Sequence, residues 1–166
     1  MNKKQKSKRK KEVQREWYEL LVEDWVMEYQ FELNTAPKDL VPGLFWEHAT
    51  CILICKLTSP DLKYGDKARI EIVGKPELDD HWAPDTNVKS AIGIGSIEIP
   101  RGDYTIRFYC MVPSRSFQSI PIAASSGKIK YVTISGTKLR YRRGDVSGIT
   151  LRTNCDEDDE PDEKTD

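Results

Sequence analysis

The sequence predicts a mostly-β fold, a single antiparallel β-sandwich or jelly roll with one short N-terminal helix. Three observations carry that expectation. Apolar and polar residues alternate with period two, or run apolar throughout, in about eight short segments of the 166-residue chain. The separators SPDLKYGD, GKPELDDHWAPDTN, PRGD, PSRS, SSGK and RRGD are turn chemistry, and few are long enough for a crossover helix. No repeat of roughly 20 to 50 residues occurs, which disfavours a solenoid or propeller.

The elements follow in order. Residues 1–11, MNKKQKSKRKK, hold no apolar residue after Met1 and cannot order themselves by burial, so a disordered basic arm is expected there. The domain then spans residues 12–155. Between Glu12 and Asp24, Trp17, Leu20 and Leu21, with Trp25 one turn on, recur at helical spacing and predict an amphipathic helix. From Trp25 the period changes, because Trp25, Met27, Tyr29, Phe31 and Leu33 alternate with mostly polar neighbours as in a half-buried strand. Residues 48–58, HATCILICKLT, are nearly all apolar and rich in β-branched side chains, as expected of a central strand covered on both faces. Further strands are expected at 67–73, 91–99, 104–112, 128–135, 137–142 and 146–152. Residues 156–166, DEDDEPDEKTD, are expected to form a disordered acidic tail.

Composition bounds the function classes. The 26 Lys and Arg nearly cancel the 27 Asp and Glu, leaving a formal charge of −1. That sum hides a basic start, with eight bases and two acids in residues 1–16, and an acidic end, with eight acids and one base in residues 156–166. A domain of this length buries about two-thirds of its unfolded surface and needs neither disulfide nor metal to fold. No apolar run approaches the roughly 18 residues of a membrane span, and no signal-peptide stretch follows the basic start. A soluble, cytoplasmic protein is therefore expected, or a nuclear one in a eukaryotic cell. Cys51, Cys55, Cys110 and Cys155 are scattered, and the first two share one face of an apolar strand, so reduced core thiols are expected rather than a disulfide framework. The three-residue spacing of CILIC is not the C-x-x-C of a zinc or redox site.

The neutral middle is itself divided. Residues 17–99 carry seven bases and fifteen acids, and residues 100–155 carry ten bases and two acids. Lys138, Arg140 and Arg142, at spacing two, are expected on one face of a strand, opposite Leu139 and Tyr141, with Arg143 in the turn and Lys128 and Lys130 on the preceding strand. Such a stripe meets phosphates or carboxylates through charge and through the planar fork of Arg. It equally fits a solvated face that repels edge-to-edge pairing. The Lys8–Lys11 run adds a salt-sensitive attraction to polyanions, and the acidic tail is a candidate to fold back over the stripe and shield it.

Other motifs carry less. Both Arg-Gly-Asp triplets, Arg101–Asp103 and Arg143–Asp145, fall where turns are required, and their glycines are explained by backbone geometry. The GIGIGS segment lacks the glycine spacing and the GK[ST] step of a phosphate loop. The loop KPELDDHWAPD gathers Glu77, Asp79, Asp80, His81 and Asp85, the residue types of a metal or acid–base site, although neighbouring loop residues usually point apart. The serines at 114, 116, 119, 125 and 126 have no nucleophile elbow, and two histidines leave a hydrolytic triad almost no base.

Residues 97–113, IEIPRGDYTIRFYCMVP, resemble a strand–turn–strand of competence protein J-like small β-sandwich proteins. Pro100, Gly102, Asp103 and Tyr104, with Val112 and Pro113 closing the second strand, carry the likeness, and Ile52 to Leu57 add a looser one. The resemblance implies a β-sandwich and, in function, an intracellular nuclease inhibitor. The expected function is a non-enzymatic recognition module that binds an acidic partner, nucleic acid or acidic protein, through the basic strand face and arm. The alternative is an inhibitor- or immunity-like protein whose acidic first half covers a basic partner such as a nuclease. A metal-dependent enzyme using the 77–85 loop is the third reading. No cofactor is expected, and the sequence leaves the oligomeric state open.

Overall fold

The structure is a computed structural model that describes residues 14–33, 45–79 and 94–153. Its strands are β1 (Arg15–Leu33), β2 (Phe45–Ser59), β3 (Lys67–Lys75), β4 (Gly95–Glu98), β5 (Ile106–Pro113), β6 (Tyr131–Thr137) and β7 (Arg143–Arg152). A 3₁₀ turn, Pro76–Leu78, follows β3, and two short helices, α1 (Ser114–Phe117) and α2 (Ser119–Ser125), follow β5. These seven strands close into a barrel in the order β1-β2-β3-β5-β4-β7-β6. All neighbours are antiparallel except β3 and β5.

A closed barrel replaces the expected sandwich. Closure comes from β1, which pairs with β2 along one edge and with β6, from Arg15 to Leu21, along the other. The mostly-β expectation stands, but the expected helix over 12–24 does not: from Arg15 onward this stretch is strand. Tyr18 and Leu20 point inward and Trp17 outward, where it is 62% exposed. The register slips between Val22 and Asp24, so Glu23 is a bulge residue and the next inward side chain after Val22 is Trp25 rather than Asp24. That three-residue step, from Val22 to Trp25, imitates helical spacing within a strand.

One core fills the barrel. Tyr18, Leu20, Leu53, Ile70, Ile72, Ile97, Phe108, Val132, Ile134 and Val146 are each 1% exposed or less, and the Tyr18 and Phe108 rings meet edge to face at 5.5 Å. Cys51, Cys55 and Cys110 are free and buried in it. Loss of solvation pushes their thiols from 9.0 up to about 11 for Cys51 and about 12 for Cys55 and Cys110, so they are small apolar residues rather than nucleophiles. Cys155 lies outside the described residues.

The barrel has two unlike ends. At one, β3 and β5 finish, and Phe117, Ile120, Ala124 and Ile129 from the helical segment pack into the core and close it. At the other lie the 60–66 loop, the 100–104 turn and the β6–β7 connection. In the 100–104 turn Gly102 has φ +80°, as its turn role requires. Thr105 N–H donates to Asp103 Oδ1 at 2.9 Å and Arg107 pairs with Oδ2 at 3.0 Å, and these contacts hold the Asp103 carboxyl below its usual range. Gly144 is different from expectation, because it lies inside β7 and not in a turn. A Cβ there would stand 3.0 Å from the Thr137 carbonyl, a tight approach that favours the glycine.

Candidate anion-binding site

The expected strand over 137–142 is a tight hairpin. β6 stops at Thr137, Arg140 and Arg143 exchange backbone hydrogen bonds of 2.8 and 3.0 Å, and Tyr141 and Arg142 form the two-residue turn. Both turn residues have positive φ, 51° and 70°, the pattern of a type I′ turn. Asn-Gly is the usual occupant, since other side chains strain the left-handed region. The turn therefore projects Tyr141 into solvent, fully exposed. Tyr141 does not share a face with Leu139, which packs against the core.

The cations of the hairpin divide by role. Arg142 holds the hairpin down: its guanidinium donates to the Pro100 carbonyl at 3.3 Å and lies 5.0 Å from the Tyr64 ring centroid, while its own carbonyl accepts from Ile99 N–H at 2.9 Å. Arg143 pairs with Glu98 at 3.3 Å, in a solvent-exposed bridge that is easily exchanged for another anion. Lys138 and Arg140 are exposed and have no ion-pair partner among the described residues. Lys138 is anchored through its backbone, since its N–H donates to the Gln14 carbonyl at 2.9 Å. That bond sets the attachment point of the basic N-terminal residues beside the hairpin.

Two clefts flank the hairpin. One, of about 510 Å³, is lined by Lys138, Arg140 and Arg143, by Gln14, and by Glu98 and Asp145 on its acidic side. The other, of about 500 Å³, is lined by Tyr64 and Tyr141, by Lys63 and Lys138, and by the acids Glu16 and Asp61. Tyr18 also lines it, and its hydroxyl donates to the Thr137 carbonyl at 3.0 Å; burial pushes this phenol from 10.0 up to about 12. The site is thus built on two rigid strand ends and a pinned turn.

The six expected anion-binding residues do not form one surface. Lys138, Arg140, Arg142 and Arg143 sit together, but Lys128 and Lys130 precede β6 and lie at its opposite end, about 23 Å away along a seven-residue strand. There Lys130 N–H donates to the Arg152 carbonyl at 2.9 Å, so the last described residues of β7 share that end. The attachment point of the acidic residues 156–166 is therefore the end away from the hairpin. Sequence reasoning missed Tyr64 and Gln14, which only long-range pairing brings here.

Of the 77–85 loop, Asp79 is described, and Arg115 engages it through a side-chain donor to its carbonyl at 2.8 Å and a 3.9 Å ion pair. Asp80, His81, Asp85 and the Glu77 side chain lie outside the described residues. Among the described residues no three His, Cys, Asp or Glu side chains converge as a metal site, and no helix is long and apolar enough to cross a membrane. No protein-family model, curated protein or solved structure matches this chain.

Proposed function

We propose that the chain is a non-enzymatic recognition module whose hairpin end binds a polyanion, with single-stranded nucleic acid as the partner its chemistry favours. The observation that carries this reading is the Lys138–Gln14 backbone bond, because it places the attachment of a strongly basic segment against a hairpin whose Lys138 and Arg140 hold no ion pair among the described residues. Phosphates exchange readily onto such cations, and Arg143 joins them by leaving Glu98. Tyr141 supplies what an acidic protein would not need, a fully exposed aromatic face for a base to stack on.

The test is binding of the full chain to a labelled mixed-sequence single-stranded DNA or RNA across a salt series. Replacing Lys138 and Arg140 together by Ala is expected to weaken binding and to lower the salt slope by about 0.7 per lost contact. Tyr141→Ala is expected to weaken single-strand binding by about 1 kcal/mol while leaving duplex binding nearly unchanged. Equal affinities and slopes for the parent and the double variant would refute the reading.

A further inference from the structure

The two longest strands outrun the barrel. β6 accompanies β1 as far as Leu21, with Lys130 bonding Val22 just beyond, and β3 accompanies β2 only from Thr50 to Lys56, yet β1 and β2 stay paired out to Leu33–Phe45, and from Tyr29–Ala49 outward no third strand lies beside them among the described residues. The result is a two-stranded ribbon at the helical end of the molecule. Ribbons of this kind are marginal alone, and an uncovered strand edge is a template for another strand. Among the described residues no strand lies beside β1 from Glu23 to Gln30. That stretch contains neither Lys nor Pro, and its guards are acidic, Glu23 at the bulge with Asp24 and Glu28, which repel another acidic edge and attract a basic one.

The two faces of the ribbon differ. Met27 and Tyr29 continue the face that carries Leu53 and Cys51 into the core, but stand 39% and 59% exposed. Asp24, Val26 and Glu28 occupy the other face. Residues 23–31 and 47–54 contain four acids, all exposed, and no Lys or Arg. Arg69 reaches Glu28 only at 4.0 Å and is held more closely by Glu71 at 2.9 Å.

We propose that the Glu23–Gln30 edge of β1 receives, by strand addition, an extended segment of another protein in which apolar residues alternate with Lys or Arg. Side chains of an added strand fall alternately on the two faces. Those on one face cover Met27 and Tyr29; those on the other meet Asp24 and Glu28. Charge argues against a second copy of β1 as occupant, because acids would face acids. The basic residues 1–11 do not fit either, having no apolar residue after Met1 to alternate with. This surface is at the opposite end from the hairpin, so the proposal stands independently of polyanion binding.

The probe is a nine-residue fluorescent peptide of alternating Lys and Val, compared with a peptide of identical composition whose Lys and Val form two blocks. The full chain is expected to bind the alternating peptide at least tenfold more tightly and to show slowed amide exchange over residues 23–30. Tyr29→Lys and Glu28→Lys, both at exposed positions, are each expected to remove most of that preference with the melting temperature unchanged. Equal binding of the two peptides would overturn the proposal, leaving only charge attraction such as residues 156–166 supply. Binding without protection of residues 23–30 would also overturn it. So would a dimer in sedimentation equilibrium that Tyr29→Lys dissociates, since a second copy would then be the occupant.

Discussion

The β6–β7 hairpin and the β1–β2 extension share one core and one set of strands, yet they present opposite charge in opposite forms. The hairpin end finishes in a two-residue turn that Arg142 pins to Pro100 and Tyr64, so its cations and Tyr141 are held on short, rigid connections. The ribbon end finishes in strands that overrun their neighbours, so among the described residues it offers a backbone edge with no strand beside it, flanked by acids and half-exposed apolar residues. A net charge of −1 averages these away. The lesson is that charge sums over a chain say little when pairing leaves acids along one stretch, residues 23–31 and 47–54, and gathers cations at one hairpin.

The comparison is broken most strongly by reversing charge at the hairpin. Lys138→Glu combined with Arg140→Glu is expected to lower polyanion affinity by more than tenfold at about 0.1 M salt and to leave the alternating-peptide affinity unaltered. Loss of both activities would mean that the ends are not independent.

Alkaline pH acts on the core that both ends share. Tyr18, Cys51, Cys55 and Cys110 ionise less readily folded than unfolded, their values rising from 9.0–10.0 to about 11–12. The unfolded chain therefore releases protons first, and the stability these groups contribute is complete below about pH 9 and is lost as pH rises toward about 12. Urea midpoints should fall steadily across that window and stay level with respect to these groups between pH 7 and 8. A flat midpoint up to pH 11 would contradict this picture of the core.

Smaller effects separate the roles of neighbouring hairpin residues. Arg142→Ala is expected to cost about 1 kcal/mol of stability through its lost ring and carbonyl contacts, whereas Arg140→Ala should cost almost no stability and reduce polyanion binding instead. Tyr141→Asn should raise stability by about 0.5 kcal/mol, because Asn accepts positive φ more readily, and should weaken single-strand binding. Chemical denaturation and anisotropy on the same samples measure both columns of that contrast.

The smallest effect expected is that of deleting residues 156–166. β7 carries the chain about 33 Å away from the hairpin, several Debye lengths at about 0.15 M salt. Polyanion affinity should change less than twofold there. A larger gain would revive the shielding role that complementary charge alone suggests.

Much of the strand inventory was legible in the sequence, because period-two alternation survives burial on one face: residues 67–73, 104–112 and 128–135 overlap β3, β5 and β6. The N-terminal strand was not, since the register shifts at Glu19/Leu20 and at the Glu23 bulge interrupt the alternation, and Trp17, Leu20, Leu21 and Trp25 fall at helical spacing. Closure into a barrel depends on the β1–β6 pairing and the parallel β3–β5 pairing, both long-range and unmarked by any local signal. At the candidate site, the cations at 138, 140 and 143 were legible as a basic cluster. The turn was misplaced onto Gly144 because Tyr141 and Arg142 are poor type I′ residues by composition. Lys128 and Lys130 are near the hairpin in sequence but a full strand, β6, away from it in space.

The most direct test of the central claim, that polyanions bind at the hairpin pole, is an amide NMR titration of the full chain with a short single-stranded DNA. The account predicts shifts concentrated at residues 138–143, at Gln14 and at Lys63–Tyr64, with residues 23–31 unmoved. Shifts centred on Lys128, Lys130 and Arg152, or on no continuous surface at all, would contradict it.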